Sequence, residues 1–202
     1  MIKIRSITIG TNLKNLISES DFRNFLKESK KTLKKNKISY RTFRLTTNAI
    51  DEKSGINHIN FKAKLNPIAN FCKKNDIRWF CLPFDINYLE TDNGKLCKNL
   101  IRNFENTFLN FIVNKKINSN KILNISKLIK SISKISSNGF DNFRCGVSIN
   151  CGPNFPFFPY SYHDNKNNGF SIALEVTKTL NEILKKKKNK DLNKLKSFIL
   201  KK

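Results

Sequence analysis

The alternation of β-branched runs with helix-spaced segments constrains this chain more than any other feature. Ile2–Gly10 (Ile-Lys-Ile-Arg-Ser-Ile-Thr-Ile-Gly) is β-branched and stops at a glycine, as strands do. From Asp21 onward, Phe22, Phe25, Leu26 and Leu33 fall near helical spacing. Tyr40–Ala49 reads as a second strand. A helix through Phe61, Leu65, Ile68, Ala69 and Cys72 follows it. Pro67 either kinks that helix or, with a start at Asn66, lies in its first turn. Ile77–Phe84 is a short apolar run ending near Pro83 and reads as a buried third strand. Lys95–Asn114, apolar nearly all round, predicts a long buried helix, and Ile117–Ser136 predicts another nearer the surface. Phe143–Asn150 predicts a fourth strand. Gly169–Lys188 predicts a helix striped by Ile172, Val176, Leu180, Ile183 and Leu184, and the tail carries Leu192, Leu195, Phe198 and Ile199, enough for one more short helix.

Apart from the extra helix before the fourth strand, these units recur about every 35–40 residues, the signature of βα repeats and a mainly parallel sheet. The fold class is therefore α/β. Repeated βα units surround a mainly parallel sheet, open or curled into a partial barrel, covered by helices. Residues 1–188 read as one α/β domain and 189–202 as a Lys-rich C-terminal helical tail. In such folds ligands sit at the carboxyl ends of the strands. Those ends are Thr8–Thr11, Arg44–Asn48, Pro83–Asn87 and Asn150–Asp164.

A formal charge of +24 invites a nucleic-acid reading. The make-up of that charge weakens it. Only seven of the 39 basic residues are Arg, and the Lys excess accompanies 30 Asn and abundant Ile and Phe. A/T-rich codons encode those four types, and the Lys are spread along the chain. A solvated surface shaped by an A/T-rich genome accounts for the charge. No specific nucleic acid is expected, only salt-sensitive sticking. The five Cys (Cys72, Cys81, Cys97, Cys145, Cys151) include no C-x-x-C pair, no secretory signal precedes them, and no run reaches membrane-span length. A cytoplasmic location with reduced thiols and no membrane partner is the expectation.

The stretch from Phe143 to Glu175 is the candidate functional end. A strand enters a loop dense in Pro and aromatics, which holds the only adjacent His–acid pair, His163-Asp164. A His titrates near neutrality, and a neighbouring carboxylate, Asp164 or Glu175, can orient it for proton transfer or form a weak metal site with it. The alternative is an exposed loop His beside an Asp that opens the next turn. Pro153–Tyr162 either walls a ligand site, with Phe158, Tyr160, Ser161 and Tyr162 as contacts, or packs as a crossover on the core. Arg44, toward the end of its strand, suits a carboxylate or phosphate, or a structural ion pair. A Cys–His nucleophile pair and a Cys145/Cys151/His163 zinc site lack diagnostic spacing, so no metal ligand is assigned. No phosphate-binding Gly loop, dinucleotide fingerprint or serine elbow occurs, so no cofactor is identified.

Four blocks in order, Ile4–Gly10, Tyr40–Leu45, Pro156–Asp164 (Pro-Phe-Phe-Pro-Tyr-Ser-Tyr-His-Asp) and Phe170–Glu175 (Phe-Ser-Ile-Ala-Leu-Glu), resemble the family called domain of unknown function 711. The last two are the specific ones. The resemblance implies a fold similar to the α/β barrel of the pyruvate formate-lyase-like glycyl radical enzymes, but no reaction. This chain has no radical-glycine segment and no Cys pair placed for radical relay. Family members are typically longer, with a further Gly-rich half after the position of Glu175. The resemblance thus implies correspondence to their N-terminal half and an incomplete barrel, with three readings open: a shortened variant, a fragment that needs a partner or a second copy, or a decayed gene product. The resemblance strengthens Pro156–Asp164 and Glu175 as site residues without assigning them roles.

Three functions follow as expectations. The leading one is an enzyme, or an enzyme-derived protein, acting on a small polar or anionic metabolite at the strand ends. There His163 would move a proton, Asp164 or Glu175 would orient it, and Arg44 would anchor an acidic group. The second is a non-catalytic binding or assembly module that completes its fold with a second copy or a partner chain. The third is a basic nucleic-acid-associated protein.

Overall fold

The computed structural model describes residues 3–18, 20–90, 93–113, 119–164 and 167–186. Six strands form one sheet: β1 (Lys3–Thr11), β2 (Tyr40–Thr47), β3 (Ile77–Asp85), β4 (Thr107–Val113), β5 (Cys145–Ile149) and β6 (Gly169–Glu175). Their spatial order is β5-β4-β3-β2-β1-β6. The first five run parallel, and β6 pairs antiparallel with β1. The sheet curls into a half-barrel flanked by helices. These are α1 (Leu13–Ser18), α2 (Ser20–Lys35), α3 (Phe61–Lys74), α4 (Asn93–Asn103), α5 (Ser119–Ile132) and α6 (Thr177–Lys186). The α/β class and the curled, mainly parallel sheet agree with the sequence reading.

Alternation along the strands sorts the sheet into two different faces. Ile7, Ile9, Phe43, Leu45, Phe80, Leu82, Phe84, Leu109 and Phe111 face the helices. There they share one core with Phe22, Leu26, Leu65, Ile68, Leu96, Leu100, Ile125 and Ile132. The residues between them face the concave side. Ser6, Thr8, Thr42, Arg44, Thr46, Asn110 and Ser148 are all buried there. The ladders align Ser6 with Thr42, Thr8 with Arg44 and Gly10 with Thr46, and then Thr46 with Cys81. The outer face is thus an ordinary apolar core, and the inner face is polar.

Two elements differ from expectation. The long helix over Lys95–Asn114 is two elements: α4 ends at Asn103, and β4 begins at Thr107. A buried arginine from far along the chain turns the corner. Arg144 donates to the carbonyls of Ile101 (3.0 Å), Phe104 and Thr107 (2.9 Å), and to Asp141 (3.1 Å). Ile101 lies in the last turn of α4, whose carbonyls the helix itself leaves unpaired, while Phe104 and Thr107 lie in the turn and at the start of β4. The strand at Phe143–Asn150 is consequently the fifth, Cys145–Ile149, and Phe140–Arg144 forms a 3-10 turn before it.

The helix expected over Gly169–Lys188 begins only at Thr177. Gly169–Glu175 is strand β6 because it completes the edge of the sheet against β1. Its Phe170, Ile172 and Leu174 alternate with Ser171 and the buried Ala173. Glu175 therefore ends an edge strand; it does not lie within a helix. Pro67 lies inside α3, which starts at Phe61, so it is not a first-turn proline. The tail residues Leu192, Leu195, Phe198 and Ile199 lie outside the described residues.

Candidate functional site

The Pro/aromatic loop crosses the concave face, and the polar side chains of that face hold its carbonyls. Thr8 Oγ1 donates to Pro156 O (3.1 Å), Cys81 Sγ to Pro159 O (3.3 Å) and Ser148 Oγ to Tyr160 O (3.3 Å). Ser148 also reaches Asn110 Oδ1 (2.8 Å). A loop lying on a sheet must satisfy its backbone somewhere, and here the strand side chains serve. One strand residue has given up its side chain altogether. A Cβ on Gly146 would lie 2.6 Å from Pro159 Cγ and 2.8 Å from Tyr160 Cε1. The peptide bond Phe158–Pro159 is cis.

The loop's end meets the carboxyl ends of β1 and β2. The His163 amide donates to Thr47 O (2.9 Å), which fixes the residue over the sheet. Its ring packs on bare backbone, for a Cβ on Gly10 would lie 2.6 Å from His163 Nδ1. His163 is 4% exposed. Nδ1 lies 3.1 Å from Asn154 Oδ1 and 3.8 Å from Asp164 Oδ1. Asn154 is itself held, by its amide on Tyr162 O (2.7 Å). These residues open on a cavity of about 330 Å³, walled by Thr8, Gly10 and Thr46 from the strands, Asn154, His163 and Asp164 from the loop, and Gly169, Phe170 and Ser171 from β6. The Thr46 hydroxyl, in the same wall, is buried without a hydrogen-bond partner. A cavity of about 300 Å³ beside α5, lined by Ile86, Leu89, Ile125 and Leu128 among others, has no comparable acid–base pair among the described residues.

The remaining sequence candidates lie elsewhere. Arg44 faces the concave side two residues before Thr46, but its side chain is not a wall of the cavity. Nε donates to Thr42 Oγ1 (3.3 Å), toward the strand's start. The guanidinium sits 5.0 Å from the Trp79 ring centre and 5.3 Å from that of Phe158. Burial first, then the charges of Arg5, Arg78 and Arg41, push its pKa down to about 10. Glu175 pairs with Lys3, whereas Gly169 pairs with Gly10 beside His163. Six residues of strand separate those points, roughly 20 Å. Ser161 Oγ donates to Phe155 O (2.6 Å) and Tyr162 OH to Cys151 O (2.6 Å), so both hydroxyls hold the loop itself. Tyr160 is half exposed and packs over Gly146.

Burial pushes the thiols of Cys72 and Cys145 up to about 12 and those of Cys81 and Cys97 up as well, so all four stay protonated near neutrality. Among the described residues no three His, Cys, Asp or Glu side chains gather to hold a metal ion, and no helix is long and apolar enough to cross a membrane. Thr8, Gly10, Asn154 and Thr46 fall within the strand-end stretches expected to hold a ligand, but the sequence singled out none of them as a site residue. The first, second and last sit in strand runs where nothing distinguishes them from ordinary β residues, and only register brings them under His163.

The chain matches the family model described as Uncharacterised ACR (DUF711) over residues 1–202, and it belongs to that family. A comparison with curated proteins finds no match.

Proposed function

We propose that this member of the family binds a small polar metabolite in the His163 cavity and moves a proton on it. The observation that carries this reading is the joint placement of a buried His, a carboxylate and an unpartnered buried hydroxyl around one cavity at the strand ends. An amide oxygen only accepts hydrogen bonds. The contact with Asn154 Oδ1 therefore favours the ring protonated on Nδ1, with the lone pair on Nε2, the form of a general base. Asp164 lies close enough to stabilise the imidazolium that proton abstraction would create. Thr46 offers a hydroxyl to a polar group of the ligand. Glu175 has no part in this reading, and Arg44 contributes positive potential from below without touching the ligand.

The test is a small-metabolite panel screened by NMR against the native chain and the variants His163→Gln and Thr46→Val. Binding that perturbs Thr8, Gly10, Thr46 and His163, and that weakens in both variants while their melting temperatures hold, supports the site. Ligands that bind but shift only residues distant from these would sink it. Turnover assays on the hits then separate an enzyme from a binding protein, because His163→Gln abolishes the first activity but only weakens the second.

A second reading, an assembly module, has one observation in its favour. Edge strand β6 exposes Phe170, Ile172 and Leu174 at 55%, 41% and 52%, and an open edge with apolar neighbours invites strand pairing with a second copy. Sedimentation of the native chain and of Ile172→Lys decides: a monomer at high concentration in both removes this reading.

A further inference from the structure

Four of the seven arginines gather at the amino-terminal end of the parallel sheet, and three of them act on the charge of the fourth, Arg44. Arg5, Arg41 and Arg78 occupy the starts of β1, β2 and β3 and are exposed. Arg44 folds back toward them along β2, held by Thr42 and flanked by the rings of Trp79 and Phe158. Arg78 lies over Trp79 as well, 4.3 Å from its ring centre. Arg44 is only 9% exposed.

The chain's other buried arginine stands in different surroundings. Arg144, 7% exposed, has a carboxylate and three carbonyls around its guanidinium. Arg44 has one neutral hydroxyl and two ring faces, with three like charges near it. Among the described residues no ion pair involves Arg5, Arg41, Arg44 or Arg78. Glu175 ends β6 at this end of the sheet, opposite Lys3, yet pairs with none of them. One strand over, the Ser6 hydroxyl aligns with Thr42, is fully buried and has no hydrogen-bond partner. Burying a guanidinium among like charges is costly unless an anion completes the set. A donor left over beside it fits the same missing group.

We propose that this end of the half-barrel is an anion site, separate from the His163 cavity, that takes the phosphate group of a small molecule. Arg44 presents its planar fork to two phosphate oxygens, Ser6 donates to a third, and the exposed arginines supply charge around the rim. Several guanidinium groups suit a multiply charged phosphate better than a single carboxylate.

Trp79, the chain's single Trp, reports on the site directly. Inorganic pyrophosphate is titrated at constant ionic strength while Trp79 fluorescence is followed, with calorimetry as the independent measure. Saturable binding is expected. Arg44→Lys and Arg78→Gln should each weaken it about tenfold, the loss of a charge-assisted contact. Arg102→Gln, an exposed change on α4, and His163→Gln should leave it unchanged. Should Arg44→Lys fail to fold, the exposed Arg41→Gln takes its place. A response that never saturates, or that sodium chloride reproduces, overturns the proposal. So does equal weakening by Arg102→Gln, or native affinity in Arg44→Lys and Arg78→Gln. Arg44-dependent binding of RNA oligonucleotides without any pyrophosphate binding would also overturn it, in favour of an extended nucleic-acid surface. Because His163→Gln is a neutral control here, failure of the cavity reading and failure of this site are distinguishable.

Discussion

Gly10→Ala puts the seating of His163 to a direct test. The new Cβ would lie 2.6 Å from Nδ1, 3.2 Å from Cγ and 3.4 Å from Cε1 of the ring. Comfortable contact begins near 3.5 Å, so the ring must retreat by roughly 1 Å. It has little freedom to do so, because its amide is tied to Thr47 O and its Nδ1 to Asn154. Overpacking of this kind costs about 1–3 kcal/mol. Losing the Asn154 bond adds about 1 kcal/mol, and the better strand propensity of Ala returns about 0.5–1 kcal/mol. The net loss is about 1–3 kcal/mol, and a chain of this size should melt about 2–12 °C lower. Calorimetry gives the melting shift. The two histidines make the ring easy to follow by NMR, with His58 as the internal reference. Asn154→Gly, which removes the bond without crowding the ring and suits the left-handed backbone there (φ 65°), should cost only about 1 kcal/mol. A Gly10→Ala variant that melts at or above the native temperature with His163 resonances unmoved would refute this seating and, with it, the cavity's geometry.

Gly146→Ala should destabilise by about 1–3 kcal/mol and should make the loop near Phe155 and Phe157 sensitive to chymotrypsin, since its Cβ would strike Pro159 and Tyr160. Arg144→Met should cost about 3–5 kcal/mol, measured by urea unfolding, because it leaves the Asp141 carboxylate without its cation and removes a donor from the Ile101, Phe104 and Thr107 carbonyls; adding Asp141→Leu should recover part of it. The buried thiols make stability pH-dependent. Their folded pKa values lie above the unfolded value of about 8.5, with Cys72 and Cys145 near 12. Their contribution is fully present below about pH 8.5 and is lost as pH climbs toward 12, at up to about 1.4 kcal/mol per pH unit for each thiol. Urea midpoints between pH 7 and 10.5 should therefore fall above pH 8.5, and Cys72→Ala should flatten that fall. In the folded chain at pH 8 a thiol reagent should modify the exposed Cys151 quickly and Cys72, Cys81 and Cys97 only on unfolding.

The parallel core of the fold was legible because β1, β2 and β3 are short apolar or β-branched runs set between helix-spaced segments. β4 was not. Thr107–Val113 is buried on nearly every residue, so it lacks alternation, and no Gly or Pro separates it from α4. The break is made by Arg144, 40 residues away from Phe104 in sequence. β6 failed for the opposite reason. Its alternation is present but inverted, with Phe170, Ile172 and Leu174 exposed and Ser171 and Ala173 turned inward. The same residues also fit a helical stripe continuing through Val176. At the site, the His163-Asp164 pair and its place at a strand end were readable. The separation of Arg44 and Glu175 from it was not, because a single sequence shows neither register nor the direction in which a long side chain folds.

The concave face is best understood as one polar surface divided by a lid of its own chain. Pro156–Pro159 lies across it, bound through Thr8 and Cys81. On the carboxyl-end side lie Gly10, Thr46 and His163, with an acid close by. On the other lie Ser6, Thr42 and Arg44, with Arg5, Arg41 and Arg78 acting on the Arg44 charge. Phe158 stands at the partition, its ring against Arg44 and against Phe108, 5.5 Å between ring centres. Phe158→Ala should therefore remove one ring from the arginine end and loosen the segment that positions His163. If the two ends are independent sites, pyrophosphate affinity will fall while His163 resonances shift only slightly. If the segment couples them, both will change together, and pyrophosphate added to the native chain will itself move the His163 resonances. A Phe158→Ala variant unchanged in both readouts would show that this ring does not form the partition.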